Sequence, residues 1–181
     1  MTGKQEPRLH VAPKAAKTYG DLASDFAGDY GLIPDEWQQL ILDDWLAENK
    51  GKWASMTCGL SVPRQNGKNG ALEVRELFGM VGLGEKFLHT AHEVKTAQKH
   101  FRRLKHFFGE KAGDPGAKFP ELNALVREVR NVNGQEAIYL TNGGSVEIIA
   151  RSKGSGRGFT VDVIVFDEAQ VRRIASLGPW P

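Results

Sequence analysis

The sequence has little cysteine, no long apolar run and almost no excess of either charge. Its one cysteine, Cys58, excludes an intrachain disulfide and a metal cluster built from cysteines, and this scarcity fits a reducing compartment. No apolar stretch approaches the roughly 20 residues that a membrane-spanning helix requires. The opening stretch MTGKQEPRLHVAPKAAKTYG is basic yet has no apolar centre of the signal-peptide kind, so residues 1–29 are expected to form a flexible basic arm. The 24 Lys and Arg against 22 Asp and Glu leave a net charge of +2. That cannot by itself argue for nucleic acid, and any such argument falls to local clustering. Internal repeats and low-complexity blocks are absent as well. What is present is 181 residues, 40% hydrophobic and 25% charged, the composition of a globular domain long enough to bury a core.

PDEWQQLILDDWLAE begins with Pro34 and an acidic first turn. Trp37, Leu40, Ile41 and Trp45 then recur at helical spacing, which predicts a helix over 34–48. WASMTCGLSV reads as a strand, and KNGALEVRELFGMVG as a helix with Leu72, Leu77 and Phe78 among its apolar positions. EKFLHTAH predicts a second strand. EVKTAQKHFRRLKHFFGE predicts a helix with Val94, Ala97, Phe101, Leu104 and Phe108 on one face. Lys95, Lys99, Arg102, Arg103 and Lys105 occupy much of the remainder, where they either contact DNA phosphates or simply solvate a helix that covers a sheet. FPELNALVREVR predicts another short helix. EAIYLTNGGSVEIIARS predicts two strands around Asn142-Gly143-Gly144, a hairpin signal. KGSGRGF is a glycine-rich loop, and VDVIVFDEAQ a buried strand ending in two acids. Helices alternating with apolar strands imply an α/β fold with a largely parallel sheet flanked by helices.

Two stretches carry chemistry. SVPRQNGKNG lies between a predicted strand and a predicted helix, the context of a phosphate-binding loop. There Gly67 would let the backbone approach phosphates, the helix N-terminus would add its partial positive charge, and Lys68 would place a point charge on the β- and γ-phosphates. The alternative is a polar turn. In VIVFDEAQ, four apolar residues precede Asp167 and Glu168. A strand of this kind delivers its last residues to the carboxyl edge of a sheet, where ligands of open α/β sheets bind. Asp167 would hold Mg2+ through water and Glu168 would orient and deprotonate an attacking water. The alternative is an acidic helix start, which the helix dipole favours anyway.

VPRQNGKN followed by IVFDEAQ resembles the N-terminal ATPase domain of the tailed-bacteriophage terminase large subunit, over roughly residues 30–170. The resemblance implies a P-loop NTPase-type (ASCE-like) fold that binds ATP and Mg2+. It places a deviant Walker A loop at Pro63, Arg64, Gln65, Asn66, Gly67, Lys68 and Asn69, with Lys68 on the phosphates and Arg64 as a sensor beside them. It places Walker B at Val163–Glu168, with Asp167 at the metal and Glu168 as the catalytic carboxylate. Trp37 and Gln38 stand where that family recognises adenine, and a glutamine amide can donate to and accept from a base edge. Gln38 could equally be a solvated helix residue.

Arg157, in GSGRGF, is the counterpart of an arginine finger supplied across a homo-oligomeric ring; Arg151 and Lys153 are weaker substitutes, and a plain basic loop is the alternative. The implied partners are double-stranded viral DNA, the portal protein and the small terminase subunit, with no membrane, in the host bacterial cytoplasm.

The sequence departs from the family at two points. Asn69 replaces the hydroxyl that normally meets Mg2+, though an amide oxygen is still a hard ligand. After Glu168 only AQVRRIASLGPWP follows, where the family continues with a coupling motif and a nuclease domain. The expectation is therefore an ATPase domain incomplete at its C-terminal end, a non-family tail at 171–181 and no nuclease. A helicase-like DNA-stimulated ATPase, or a non-catalytic remnant that binds nucleotide at most, fits the same motifs. His89 and His92 near a strand–helix junction suggest packing rather than a metal site, since no third ligand is evident.

Overall fold

The structure, a computed structural model, describes residues 5–63, 65–151 and 160–169. The chain divides into two compact units, residues 1–78 and 79–181. In the first, β1 (Lys17–Thr18) leads into α1 (Gly20–Gly28), and α2 (Glu36–Trp45) is followed by β2 (Ala47–Asn49) and β3 (Lys52–Trp53). The three strands form an antiparallel sheet in the order β1-β2-β3. Lys50 and Gly51, both in the left-handed region (φ 53° and 78°), make the tight turn between β2 and β3. α3 (Lys68–Gly82) begins in this unit. The core gathers Ala23, Ala27, Leu42, Leu46, Val74 and Phe78, with Tyr19, Phe26 and Leu32 packed around it.

Three expectations change here. The basic arm contains an ordered helix, because Ala23 and Ala27, one turn apart and fully buried, let α1 close onto Leu42 and Leu46. The helix expected over 34–48 starts at Glu36, with Asp35 as its N-cap, and stops at Trp45. Its buried line is Gln38, Leu42 and Leu46, whereas Trp37, Leu40, Ile41 and Trp45 are half-buried. In the strand expected at WASMTCGLSV, only Trp53 is in a strand. The alternation of Met56, Cys58, Leu60 and Val62 suits a strand. A strand also needs a ladder partner for its N–H and C=O groups; the Ala54 N–H still donates to Ala47 O at 2.8 Å, but residues 55–62 have no such partner among the described residues.

In the second unit, the last turn of α3 leads to β4 (Lys86–Ala91), α4 (Val94–Phe108), α5 (Pro120–Asn123), β5 (Val126–Arg130), β6 (Glu136–Leu140), β7 (Ser145–Ala150) and β8 (Val163–Phe166). The order is β5-β6-β7-β4-β8. β7–β4 and β4–β8 are parallel, and β5–β6 and β6–β7 antiparallel. The sheet is thus mixed rather than largely parallel. Tight turns reverse the chain between β5, β6 and β7, whereas β4 and β8 are reached by longer crossings. FPELNALVREVR, expected as one helix, gives a single turn of helix and then β5.

α4 has the spacing expected of it except at Val94, which is 52% exposed. Ala97, His100, Phe101, Leu104, Phe107 and Phe108 are buried along one side, and the helix packs on β4, β6 and β7. Phe87, Ile138, Val146 and Ile148 are buried on the sheet beneath. Each such side chain contributes about 1.5–3 kcal/mol. On the far side of the antiparallel part, the Arg127 and Arg130 guanidiniums lie over the Tyr139 ring at 5.5 and 5.2 Å. β8 is not the buried strand expected. It pairs only with β4 among the described residues, and Ile164 and Phe166 are each 52% exposed. No helix among the described residues is long and apolar enough to cross a membrane.

Candidate functional site

The loop at 63–69 lies in the first unit. Pro63, Gln65 and Asn66 are exposed, and Lys68 and Asn69, half-buried, open α3. Arg64 lies outside the described residues. Gly67 is left-handed (φ 79°), and so is Gln65 (φ 61°), a non-glycine residue in a conformation that costs about 1–2 kcal/mol. Strain of this kind concentrates at binding loops.

Gln38 joins this loop to α2. Its Nε2 donates to the Gly67 carbonyl at 2.7 Å, and its Oε1 accepts the Asp35 backbone N–H at 2.8 Å. The Gly70 N–H reaches the same Gly67 carbonyl at 2.9 Å. A methyl added at Gly67 would stand 3.1 Å from Gln38 Nε2 and 3.9 Å from Trp37 Cζ2, so both residues border the loop. Gln38 is 8% exposed, not a solvated helix residue. Its amide braces the loop and keeps one N–H and one oxygen lone pair in hand. A cleft of about 560 Å³ beside α1 is lined by Ser24, Asp25, Gly28, Asp29, Ile33, Pro34 and Gln39. It includes no loop residue, and its two acids would repel a polyphosphate.

The acidic pair lies in the second unit, just past β8. Asp167 is 4% exposed and its N–H donates to Thr90 O at 2.9 Å. Glu168, half-buried, is left-handed (φ 54°). Arg151, at the end of β7, holds this turn in place. Its Nη1 donates to Thr90 O (2.9 Å) and Thr90 Oγ1 (3.1 Å), and its Nη2 to Glu168 O (3.1 Å). Thr90 Oγ1 donates in turn to Val165 O at 2.9 Å. The carboxyl ends of the parallel strands β7, β4 and β8 are therefore tied together beside the two acids, at the edge where ligands of parallel sheets bind.

The guanidinium of Arg151, read from sequence as a substitute finger, is engaged within its own unit. The signal was its place directly after an apolar strand; its partners were not visible in the sequence. Arg151→Ala should lower stability by about 2 kcal/mol, since hydrogen bonds from a charged group are lost and the Glu168 carbonyl loses its guanidinium donor. The urea midpoint reads the loss, and Arg151→Lys should restore only part of it because an ammonium cannot span both carbonyls. Arg157 and Lys153 lie outside the described residues. His89 is fully buried and stacks on His100, ring centroids 3.9 Å apart, while His92 is half-buried.

No family model matches the chain, and neither a curated protein nor a solved structure matches it.

Proposed function

We propose that the chain is the ATPase part of a DNA-packaging motor of the terminase large-subunit type, with a P-loop NTPase-type fold. In this reading it binds Mg-ATP and hydrolyses the γ-phosphate. The full-length protein, as a homo-oligomeric ring with portal and small terminase subunits, drives double-stranded viral DNA in the host bacterial cytoplasm. The observation that carries the reading is Lys68 opening a 15-residue helix directly behind a left-handed glycine, the local form that presents backbone N–H groups and an ammonium to phosphates. Gln38 supports it by bracing that glycine, with Trp37 alongside.

The residues have defined tasks. Lys68 offsets phosphate charge, and the loop backbone from Pro63 to Asn69 surrounds it. Asp167 and Asn69 offer hard oxygen donors of the kind Mg2+ takes. The ion, when bound, neutralises charge on the β- and γ-phosphates. Glu168 orients a water for in-line attack and accepts its proton. Arg64 senses the phosphates, and Arg157 of a neighbouring subunit meets the developing charge.

Titration with a non-hydrolysable ATP analogue, with and without Mg2+, tests the reading. Lys68→Ala should weaken binding by about 10- to 150-fold, the value of a hydrogen bond from a charged group. Binding that ignores both Mg2+ and the substitution would remove the loop from nucleotide recognition.

A further inference from the structure

α4 carries a stripe of one charge sign that the nucleotide reading leaves unused. Lys95, Lys99 and Arg102 are exposed and recur at i, i+4 and i+7, so they share one line along the helix. His106 continues that line, and the Lys118 ammonium donates to its Nε2 at 3.1 Å. From Val94 to Phe108 the helix contains no Asp or Glu. Among the described residues, no carboxylate pairs with Lys95, Lys99 or Arg102, and Arg102 Nε donates within the helix to Gln98 O at 3.3 Å. Lys105 does not belong to the stripe, because Glu110 and Asn131 engage it.

The partner follows from what the stripe offers. Apart from Val94 at its foot, it presents no aliphatic or aromatic anchor, and such anchors carry most protein–protein affinity. It offers instead point charges at regular intervals. At a rise of 1.5 Å per residue, Lys95 and Arg102 stand about 10.5 Å apart along the axis. One strand of a duplex places about three phosphates in that length. We propose that this face of α4 binds the phosphate backbone of double-stranded DNA, Lys95, Lys99 and Arg102 each neutralising one phosphate, with no base read. The choice of DNA rests on the packaging reading above, which it deepens by giving the DNA a surface.

The full chain is titrated against a fluorescently labelled duplex without nucleotide, from about 50 to 200 mM salt. Three phosphate contacts contribute a slope of about −2.7 to the plot of log affinity against log salt. The Lys95→Ala/Lys99→Ala/Arg102→Ala variant should lose that contribution, and with it about 40-fold of salt sensitivity over the range. Arg8→Ala/Lys50→Ala/Lys52→Ala, which removes equal charge from exposed positions elsewhere, should keep the parent slope. If the first variant does not fold by circular dichroism, Lys99→Gln alone should change the slope by about 0.9.

A stripe variant with the parent slope, or a control that loses as much, overturns the proposal. So does tighter binding of polyglutamate than of duplex, which would assign the face to an acidic protein. A parent chain that binds ATP but not the duplex counts against this proposal alone. The reverse result counts against the nucleotide site alone.

Discussion

Glu168→Gln is expected to reduce ATP turnover by about 10²- to 10⁴-fold, the contribution of a positioned general base, and to leave affinity for Mg-ATP unchanged. The amide keeps the shape of the carboxylate but cannot take a proton at neutral pH. The backbone should not move, because Arg151 grips the main-chain carbonyl of Glu168 rather than its carboxylate. The left-handed conformation at this position (φ 54°) is therefore preserved by contacts that the substitution leaves in place. Single-turnover phosphate release measures the first quantity and calorimetric titration the second. A variant that hydrolyses ATP at the parent rate would take Glu168 out of the chemistry. A variant that also loses binding would show that the carboxylate holds the ligand rather than the water.

Gly144→Ala should destabilise the second unit by about 3 kcal/mol, the upper range for forcing atoms into a packed site. An added methyl would stand 2.2 Å from the Met80 carbonyl oxygen and 2.9 Å from its carbon. Those atoms belong to a helix backbone and cannot step aside as a flexible side chain would. The approach is close because the β6–β7 turn caps the end of α3. Asn142 Nδ2 donates to Met80 O at 2.9 Å and Val81 O at 3.0 Å, and the Gly144 N–H donates to Asn142 Oδ1 at 2.9 Å. These bonds serve carbonyls that a helix end leaves without partners. With a urea dependence of about 1–3 kcal/mol per molar, the midpoint should fall by roughly 1–3 M. Gly59→Ala, with nothing within 4 Å of the added carbon, should leave the midpoint in place. Equal midpoints for Gly144→Ala and the parent would rule out the close approach.

α4, β4 and the β6–β7 hairpin could be read in advance because each is encoded by neighbours in the chain. The apolar positions of α4 recur every three to four residues, and Asn142-Gly143-Gly144 suits a tight reversal, with Gly143 at φ 96°. The glycine–lysine loop before a helix was likewise legible, as were two acids after an apolar strand. α1 was missed because its signal is two alanines rather than large apolar residues. The segment 54–62 was misread because a run of small and apolar residues suits a strand without showing whether a partner strand is present.

The local spacing of side chains thus dictated which segments coil, which extend and which residue types stand at their ends, since those preferences act within a few residues. Three-dimensional packing alone chose the mixed strand order, the exposed position of β8, Gln38 as a brace for Gly67 and Arg151 as a tie between Thr90 and Glu168. Those outcomes depend on hydrogen-bond partners far along the chain (29 residues apart for Gln38 and Gly67, 61 for Arg151 and Thr90), and no periodicity in one segment carries information about where another will lie.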